Sequence, residues 1–179
     1  GTRELNQSLQ RTIQRKLWNI EVPPVAPNRR APFLVHDKVI QTRNNYDLNV
    51  MNGTIGRILT VKHDGTLTID FDGIPVEIER SSPNYGDIQL AYALTIHKCQ
   101  GSEFPCAIVV VHKSHAFMHH RNLFYTGVTR ARKTAIVVGD QWGVANCAQR
   151  CKVDERRTFL SLLLDQSGIQ KCEEANELA

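Results

Sequence analysis

The feature that most constrains the fold is a series of short β segments between residues 33 and 89. These segments, in which apolar and polar residues alternate, are 37–43, 54–61, 66–71 and 74–79. The dipeptide Asn52-Gly53 precedes the second segment, and Asp72-Gly73 joins the last two. Asn-Gly and Asp-Gly between alternating segments are strong signals for tight β-hairpins. So many strands in so short a stretch predict a small SH3-like β-barrel.

The residues before this barrel predict a helix and a linker. Residues 4–18 carry an apolar side chain at every fourth position, so we expect a helix that packs on a core through that face. Its apolar residues are Leu5, Leu9, Ile13 and Leu17. Between Val22 and Pro32 the chain contains four prolines, which exclude a regular helix or a central strand.

After the barrel the pattern changes to that of an α/β domain. The continuous apolar runs Cys106–Val111 and Ala135–Val138 predict strands that are buried on both faces of a parallel sheet. Between them, residues 121–126 predict a helix. Gly139-Asp140-Gln141 is expected to be a strand terminus, and residues 154–164 are expected to form an amphipathic helix before a frayed tail.

The stretch from Leu90 to Glu103 contains a cluster of polar side chains that could form a functional site. An apolar run begins it, and we expect a strand there that delivers polar side chains to a turn at Gly101. The polar side chains are Thr95, His97, Lys98, Gln100 and Glu103. An ordinary solvated turn at a strand end is the alternative from spacing alone.

Two motifs carry a family resemblance. Thr-Ile-His-Lys-Cys-Gln-Gly-Ser-Glu-Phe (95–104) and Tyr-Thr-Gly-Val-Thr-Arg-Ala-Arg (125–132) resemble motifs V and VI of superfamily 1 DNA helicases. The residues of both motifs are similar to those of the RecD-like branch, which includes the helicase domains of conjugative relaxases. Residues 37–47 and 52–56 resemble the inserted 2B domain of this branch, and residues 4–10 resemble a helix that follows motif IV.

The resemblance implies an α/β fold in which a RecA-like parallel-sheet motor domain, 2A, carries an inserted SH3-like barrel, 2B. Domain 2A would comprise residues 1–32 and 90–168 and be incomplete at its N-terminus. Domain 2B would comprise residues 33–89, and residues 169–179 would be a C-terminal tail.

The resemblance also implies roles for individual residues. Arg130 is expected to be the arginine finger, a catalytic residue that also binds nucleotide. Gly101 and Glu103 match nucleotide-binding positions, with Glu103 an acceptor for a ribose hydroxyl. The positions expected to contact nucleic acid are Thr95, His97, Lys98 and Gln100. For residues 43–46 we prefer turn chemistry to DNA contact.

These roles imply an ATP-dependent DNA helicase that moves on single-stranded DNA and unwinds duplexes. The chain has no Gly-x-x-x-x-Gly-Lys-Ser/Thr loop. ATP and Mg²⁺ are therefore expected to be bound mainly by an N-terminal RecA-like domain of the same polypeptide, and this part alone is expected to be inactive. The helicase segment of a conjugative relaxase and a non-catalytic nucleic-acid-binding module remain alternatives.

Composition adds weaker expectations. A net charge of +4 and a pI near 8.9 favour an anionic partner slightly. Five irregularly spaced cysteines favour a reducing, cytoplasmic location, and no apolar stretch reaches the ~20 residues of a membrane span. Cys147 with Cys151, and the histidines at 112–120, lack further ligands at metal-site spacing, so we expect no metal site. The family resemblance implies no small-molecule substrate besides ATP.

Overall fold

The structure is a computed structural model that describes residues 1–26 and 29–150. Contacts divide the chain after Pro105 into two compact units. The helices and strands are α1 (Thr2–Trp18), β1 (Lys38–Gln41), β2 (Ile55–Val61), β3 (Leu67–Phe71), β4 (Ile74–Ile78), β5 (Ile88–Leu90), β6 (Phe104–Val111), α2 (Arg121–Val128), β7 (Ala131–Gly139) and α3 (Gln141–Gln149). Short 3₁₀ helices cover Pro83–Asp87, Ile96–Cys99 and Lys113–Met118.

Two sequence predictions lie outside the described residues, namely the helix at 154–164 and the tail at 169–179. The predicted division into 1–32 with 90–168, 33–89 and 169–179 stays a prediction. None of the described helices is long and apolar enough to cross a bilayer.

The first unit contains the predicted barrel. Its five strands are antiparallel and follow the order β4-β3-β2-β1-β5. The four predicted β segments are confirmed, and both turn dipeptides lie between strands. Alternation along β3 buries every second side chain, which is the period expected of a strand with one face on a core. Five core side chains have no exposed surface: Val39, Ile58, Leu67, Ile69 and Ile88.

Helix α1 forms as predicted, but the prediction of its buried face is wrong. No residue of the apolar stripe is fully buried: Leu5 is 42% and Leu17 68% exposed, and Leu9 and Ile13 are half-buried. The residues buried instead are the amides Asn6, Gln7, Gln10 and Gln14. They are tolerated there because each side-chain nitrogen donates a hydrogen bond within this unit, although the buried Oε1 atoms of Gln10 and Gln14 have no partner among the described residues.

The carboxylate of Asp37 is the centre of this polar contact. Asp37 has no exposed surface, and it accepts hydrogen bonds from Gln10 Nε2 at 2.5 Å and Gln14 Nε2 at 2.8 Å. It also accepts one from the Leu34 backbone amide at 2.9 Å and one from the Tyr92 hydroxyl at 2.9 Å. Burial raises the pKa of Asp37, although all four bonds favour the ionised form. One carboxylate therefore joins α1 to the barrel and to the segment after β5.

The second unit pairs β6 with β7. Both strands end at the same edge, where the Asp140 amide donates to the Val111 carbonyl at 3.2 Å, so they run parallel. The helix predicted at 121–126 is confirmed as α2, and β7 ends at Gly139 as predicted. Asp140 then caps α3 by accepting from the Gly143 amide at 2.6 Å.

The prediction that these two strands are buried on both faces is wrong for the described residues. Ile108 is 64% exposed and Val138 is 50% exposed. Val109 and Val111 of β6 do lie in a small core with α2 and α3. A two-stranded parallel sheet with helices against one side has too few neighbours to cover its remaining apolar side chains.

Candidate nucleic-acid and nucleotide site

The segment 95–103 is a 3₁₀ helix followed by a turn. The strand predicted from Leu90 onward is wrong, because β5 already ends at Leu90. Thr95 caps the 3₁₀ helix, with its Oγ1 3.4 Å from the Lys98 amide that donates to it. Gly101 has φ 82°, a left-handed conformation that favours glycine, and no described atom beyond its two chain neighbours lies within 4 Å of where its Cβ would be. Gly101 therefore leaves its backbone open to a ligand.

Helix α1 fixes the start of this segment. The Asn6 side chain donates to the Ala93 carbonyl at 2.7 Å and accepts from the Ala93 amide at 2.9 Å. One residue earlier, the Tyr92 hydroxyl is bound to Asp37. Burial, the Asp37 charge and this bond raise the pKa of Tyr92, so it remains a protonated donor at neutral pH. The backbone is thus held two residues before Thr95.

Sequence reasoning missed these positioning residues. A signal for them exists, since Asn6, Gln10 and Gln14 recur every four residues as regularly as the leucines do. An amide stripe at helical spacing is polar, and a periodicity argument based on hydrophobicity assigns it to solvent.

Two clefts of the first unit contain most of the predicted site residues. Thr95 and Lys98 line a cleft of about 260 Å³ beside the start of α1, here called the α1 cleft. Gln100, Gly101 and Glu103 line an open cleft of about 500 Å³, here called the turn cleft. Its opposite side is formed by barrel residues 52–55 and by Asp72. His97 is exposed and lines neither cleft.

The predicted catalytic residue lies in the other unit. Arg130 follows α2, and its Nε donates to the Thr126 carbonyl at 3.1 Å. Its Nη2 lies 3.4 Å from the Thr129 hydroxyl. These contacts hold a half-buried guanidinium against the C-terminal end of a helix, where a cation is favoured by the helix dipole.

In the loop at 43–46, two residues stabilise the turn through side-chain hydrogen bonds, as predicted. Asn44 Oδ1 accepts from the Asn52 amide at 2.9 Å, and Asn45 Oδ1 accepts from the Leu48 amide at 3.1 Å. The Tyr46 side chain is 75% exposed. In the described ranges, no three His, Cys, Asp or Glu side chains are grouped so as to hold a metal ion.

The comparisons with known proteins agree with these features. Residues 90–138 match the family model of the UvrD-like helicase C-terminal domain. Residues 5–71 match the model of the ATP-dependent RecD-like DNA helicase SH3 domain. The chain belongs to the RecD-like helicases. The predicted family is therefore confirmed, and both motifs lie within residues 90–138.

Two curated relatives show how much of a helicase this chain represents. It is 43% identical over 117 residues to the ATP-dependent RecD2 DNA helicase of Deinococcus radiodurans, a match that covers 64% of this chain and 16% of that protein. It is 30% identical over 137 residues to the RecBCD enzyme subunit RecD of Mycobacterium tuberculosis, covering 76% of this chain and 23% of that subunit. The chain thus spans less than a quarter of either relative.

A solved structure supports the fold. The Pif1 helicase from Bacteroides, in a crystal structure with ADP-AlF3 and ssDNA, matches with a TM-score of 0.54 at 17% identity. The match covers 90% of this chain and 43% of that one. With the SH3 domain match, this confirms the predicted α/β helicase fold with an SH3-like barrel.

Proposed function

We propose that this chain is the C-terminal motor part of an ATP-dependent DNA helicase, which couples ATP hydrolysis to movement on single-stranded DNA and to duplex unwinding. In this proposal residues 1–32 and 90–168 belong to the motor domain 2A, and 33–89 form the inserted domain 2B. The observation that carries it is the arrangement of segment 95–103, which presents exposed polar side chains to two neighbouring clefts of one unit.

The α1 cleft is the better candidate for the nucleic acid. Thr95 supplies a hydroxyl and Lys98 a cation there, and both suit a phosphodiester. His97, which lines neither cleft, and Gln100, which lines the turn cleft, are assigned to the strand because of the motif resemblance. Because these four residues lie within six positions of the chain, a shift of this segment would move all four DNA-binding side chains together.

The turn cleft is assigned to the nucleotide. The open backbone at Gly101 allows a phosphate or ribose to approach closely, and the Glu103 carboxylate suits a ribose hydroxyl. Arg130 is assigned the role of arginine finger, since its planar and permanently charged side chain matches the geometry of a γ-phosphate.

ATP and Mg²⁺ are proposed as the cofactors, and an N-terminal RecA-like domain of the same polypeptide as the partner that holds most of them. ATP hydrolysis supplies the free energy for movement. Gly101, Glu103 and Arg130 would contact the nucleotide. A change in the position of Gly101 and Glu103 would then displace Thr95 and His97, because these four residues belong to one continuous segment. The ADP-AlF3 and ssDNA in the related Pif1 crystal structure support this pairing of ligands.

The test is ATP hydrolysis by the longer polypeptide that carries this chain, with and without single-stranded DNA, beside this chain alone. We expect DNA-stimulated turnover in the longer protein and none in the chain alone. Arg130→Ala should lower kcat by roughly 10³-fold and leave DNA affinity unchanged. Lys133→Ala, an exposed change of the same charge on β7, serves as the control. Unchanged turnover in Arg130→Ala would refute the arginine finger, and no stimulation in the longer protein would refute the motor.

A further inference from the structure

The α1 cleft contains a basic rim that the motif residues do not account for. Three cationic side chains line it: Arg3 from α1, Arg30 from the linker and Lys98 from the 3₁₀ helix. Among the described residues that line the cleft, none is acidic. Two of the three cations, Arg3 and Arg30, lie far in sequence from motif V.

The described residues around this rim supply no counter-charge to its cations. Arg30 Nη1 donates to the Gly86 carbonyl at 3.2 Å, and Lys98 Nζ donates to Gln89 Oε1 at 3.0 Å. Both acceptors are uncharged. Within the described part of the chain, no carboxylate forms an ion pair with either side chain or with Arg3. Three like charges without counter-charges favour an anionic ligand.

The floor of the cleft is apolar and part of the barrel. Ile88 has no exposed surface and belongs to the barrel core, and Phe33 packs edge-on against Tyr85 with 5.7 Å between ring centroids. Leu90 and Leu94 complete the apolar lining. Because the floor rests on packed core residues, it is formed before any ligand arrives, which lowers the entropy lost on binding.

The walls are also fixed in advance. Asn6 is bonded to the backbone of Ala93, and Gln7 Nε2 donates to the Arg29 carbonyl at 3.2 Å. These bonds tie α1 to the linker on one side and to the motif V segment on the other. At about 260 Å³ the cleft is slightly smaller than the ~300–1,000 Å³ of typical small-ligand sites, a size that suits a single nucleotide unit.

We propose that the α1 cleft is a subsite for one nucleotide of the single strand, with the base or sugar on the apolar floor and the flanking phosphates against Arg3, Arg30 and Lys98. The inference rests on the proposed function, because Lys98 and Thr95 belong to both. It adds two phosphate-binding residues outside the helicase motifs. A free nucleotide has the same chemistry, and the experiment separates the two ligands.

The experiment measures binding of a fluorescently labelled oligothymidylate to this chain by anisotropy at several salt concentrations. Arg3→Ala and Arg30→Ala are each expected to weaken binding about tenfold, as loss of a charge-assisted hydrogen bond does. Each should also reduce the slope of log K against log salt by about 0.7, because one phosphate contact is lost. Matched controls are Arg11→Ala on α1 and Arg29→Ala in the linker, which change the charge equally but do not line the cleft.

A second variant tests the floor without changing charge. Ala31 lines the cleft, and Ala31→Trp should fill it and weaken binding while leaving the salt slope as it is. Urea unfolding of each variant verifies that the fold is retained. Thymidine monophosphate and ATP, added as competitors, should displace the oligomer weakly, whereas displacement as strong as that by unlabelled oligomer would overturn the strand assignment in favour of a free-nucleotide site.

One further variant separates this inference from the proposed function. His97 is assigned to the strand but lies outside the α1 cleft. If His97→Ala weakens binding while Arg3→Ala and Arg30→Ala behave like their controls, the subsite is refuted and the proposed function stands. If the unmodified chain does not bind the oligomer at all, the subsite is refuted, and DNA-stimulated ATP turnover by the longer polypeptide decides the proposed function.

Discussion

Asn6 and Ala93 are joined by a pair of hydrogen bonds, in which the Asn6 amide donates to the Ala93 carbonyl at 2.7 Å and accepts from its backbone amide at 2.9 Å. A side-chain amide that pairs with both backbone groups of one residue in this way replaces the pairing that a neighbouring strand would supply. The chain needs this replacement because β5 ends at Leu90. Helix α1 therefore sets the position of the segment that begins at Thr95.

Asn6→Ala should lower the free energy of unfolding of the first unit by about 1–3 kcal/mol, since both Ala93 backbone groups lose their partner. Urea unfolding followed by circular dichroism measures this change. Ser8→Ala, at an exposed position of the same helix, should change stability by less than about 0.5 kcal/mol. Equal effects of the two substitutions would contradict the anchoring role of Asn6.

Asp37 gives the first unit an unusual pH dependence. Because burial raises the folded-state pKa of Asp37 above its ordinary 3.8, the folded state binds this proton more tightly than the unfolded state does. The resulting stability is fully present below 3.8 and is lost as the pH rises through the folded pKa. The unfolding free energy of the native chain minus that of Asp37→Asn should therefore be largest at and below pH 3.8 and decrease toward neutrality.

Asp64 provides the matched comparison in the same unit. Hydrogen bonds from Thr66 lower the pKa of Asp64, so its contribution is present above 3.8 and is lost as the pH falls. The corresponding difference for Asp64→Asn should change with pH in the opposite direction. A difference that runs the same way for both variants would show that Asp37 is not titrating as its burial implies.

The barrel was predictable because its signals are local. Alternation of side chains and the dipeptides Asn52-Gly53 and Asp72-Gly73 specify strands and turns without reference to the rest of the chain. Helix α1 was predictable as a helix for the same reason. Its buried face was not, since the choice between the leucine stripe and the amide stripe depends on Asp37, which meets the helix only in three dimensions.

The residues of the candidate site come from the family resemblance and stay predictions, whereas the geometry of the segment that carries most of them was not predictable. The resemblance to the helicase motifs predicts roles for Thr95, Gly101 and Arg130. The strand expected before Thr95 is replaced by an irregular segment that Asn6 and Asp37 hold in position. The rim at Arg3 and Arg30 had no motif to indicate it. Contacts between residues distant in sequence decide all of these features, and a single sequence does not record them.

Substitution of Gly101 tests whether the left-handed turn in the proposed nucleotide site is needed. At φ 82° a Cβ causes backbone strain of roughly 1–2 kcal/mol, although the space around it is open. Gly101→Ala should therefore destabilise the turn and weaken ATP binding in the longer polypeptide, as measured by its KM for ATP. Gly101→Asn should do less harm, since Asn tolerates the left-handed region better. If alanine is tolerated as well as asparagine, the left-handed turn is not needed.

Substitution of Gly139 tests how closely β6 and β7 approach each other at their C-terminal ends. A Cβ at this position would lie 1.5 Å from the Val111 carbonyl oxygen, a backbone atom that cannot turn away. Gly139→Ala should therefore separate the ends of β6 and β7 and destabilise the second unit by about 3 kcal/mol or more. Trp142, in the helix that Asp140 caps, reports the loss through its fluorescence during urea unfolding. Thr134→Ala, at an exposed position of β7, is the control and should shift the transition only slightly. An unchanged transition for Gly139→Ala would mean that the two strand ends are not held this closely.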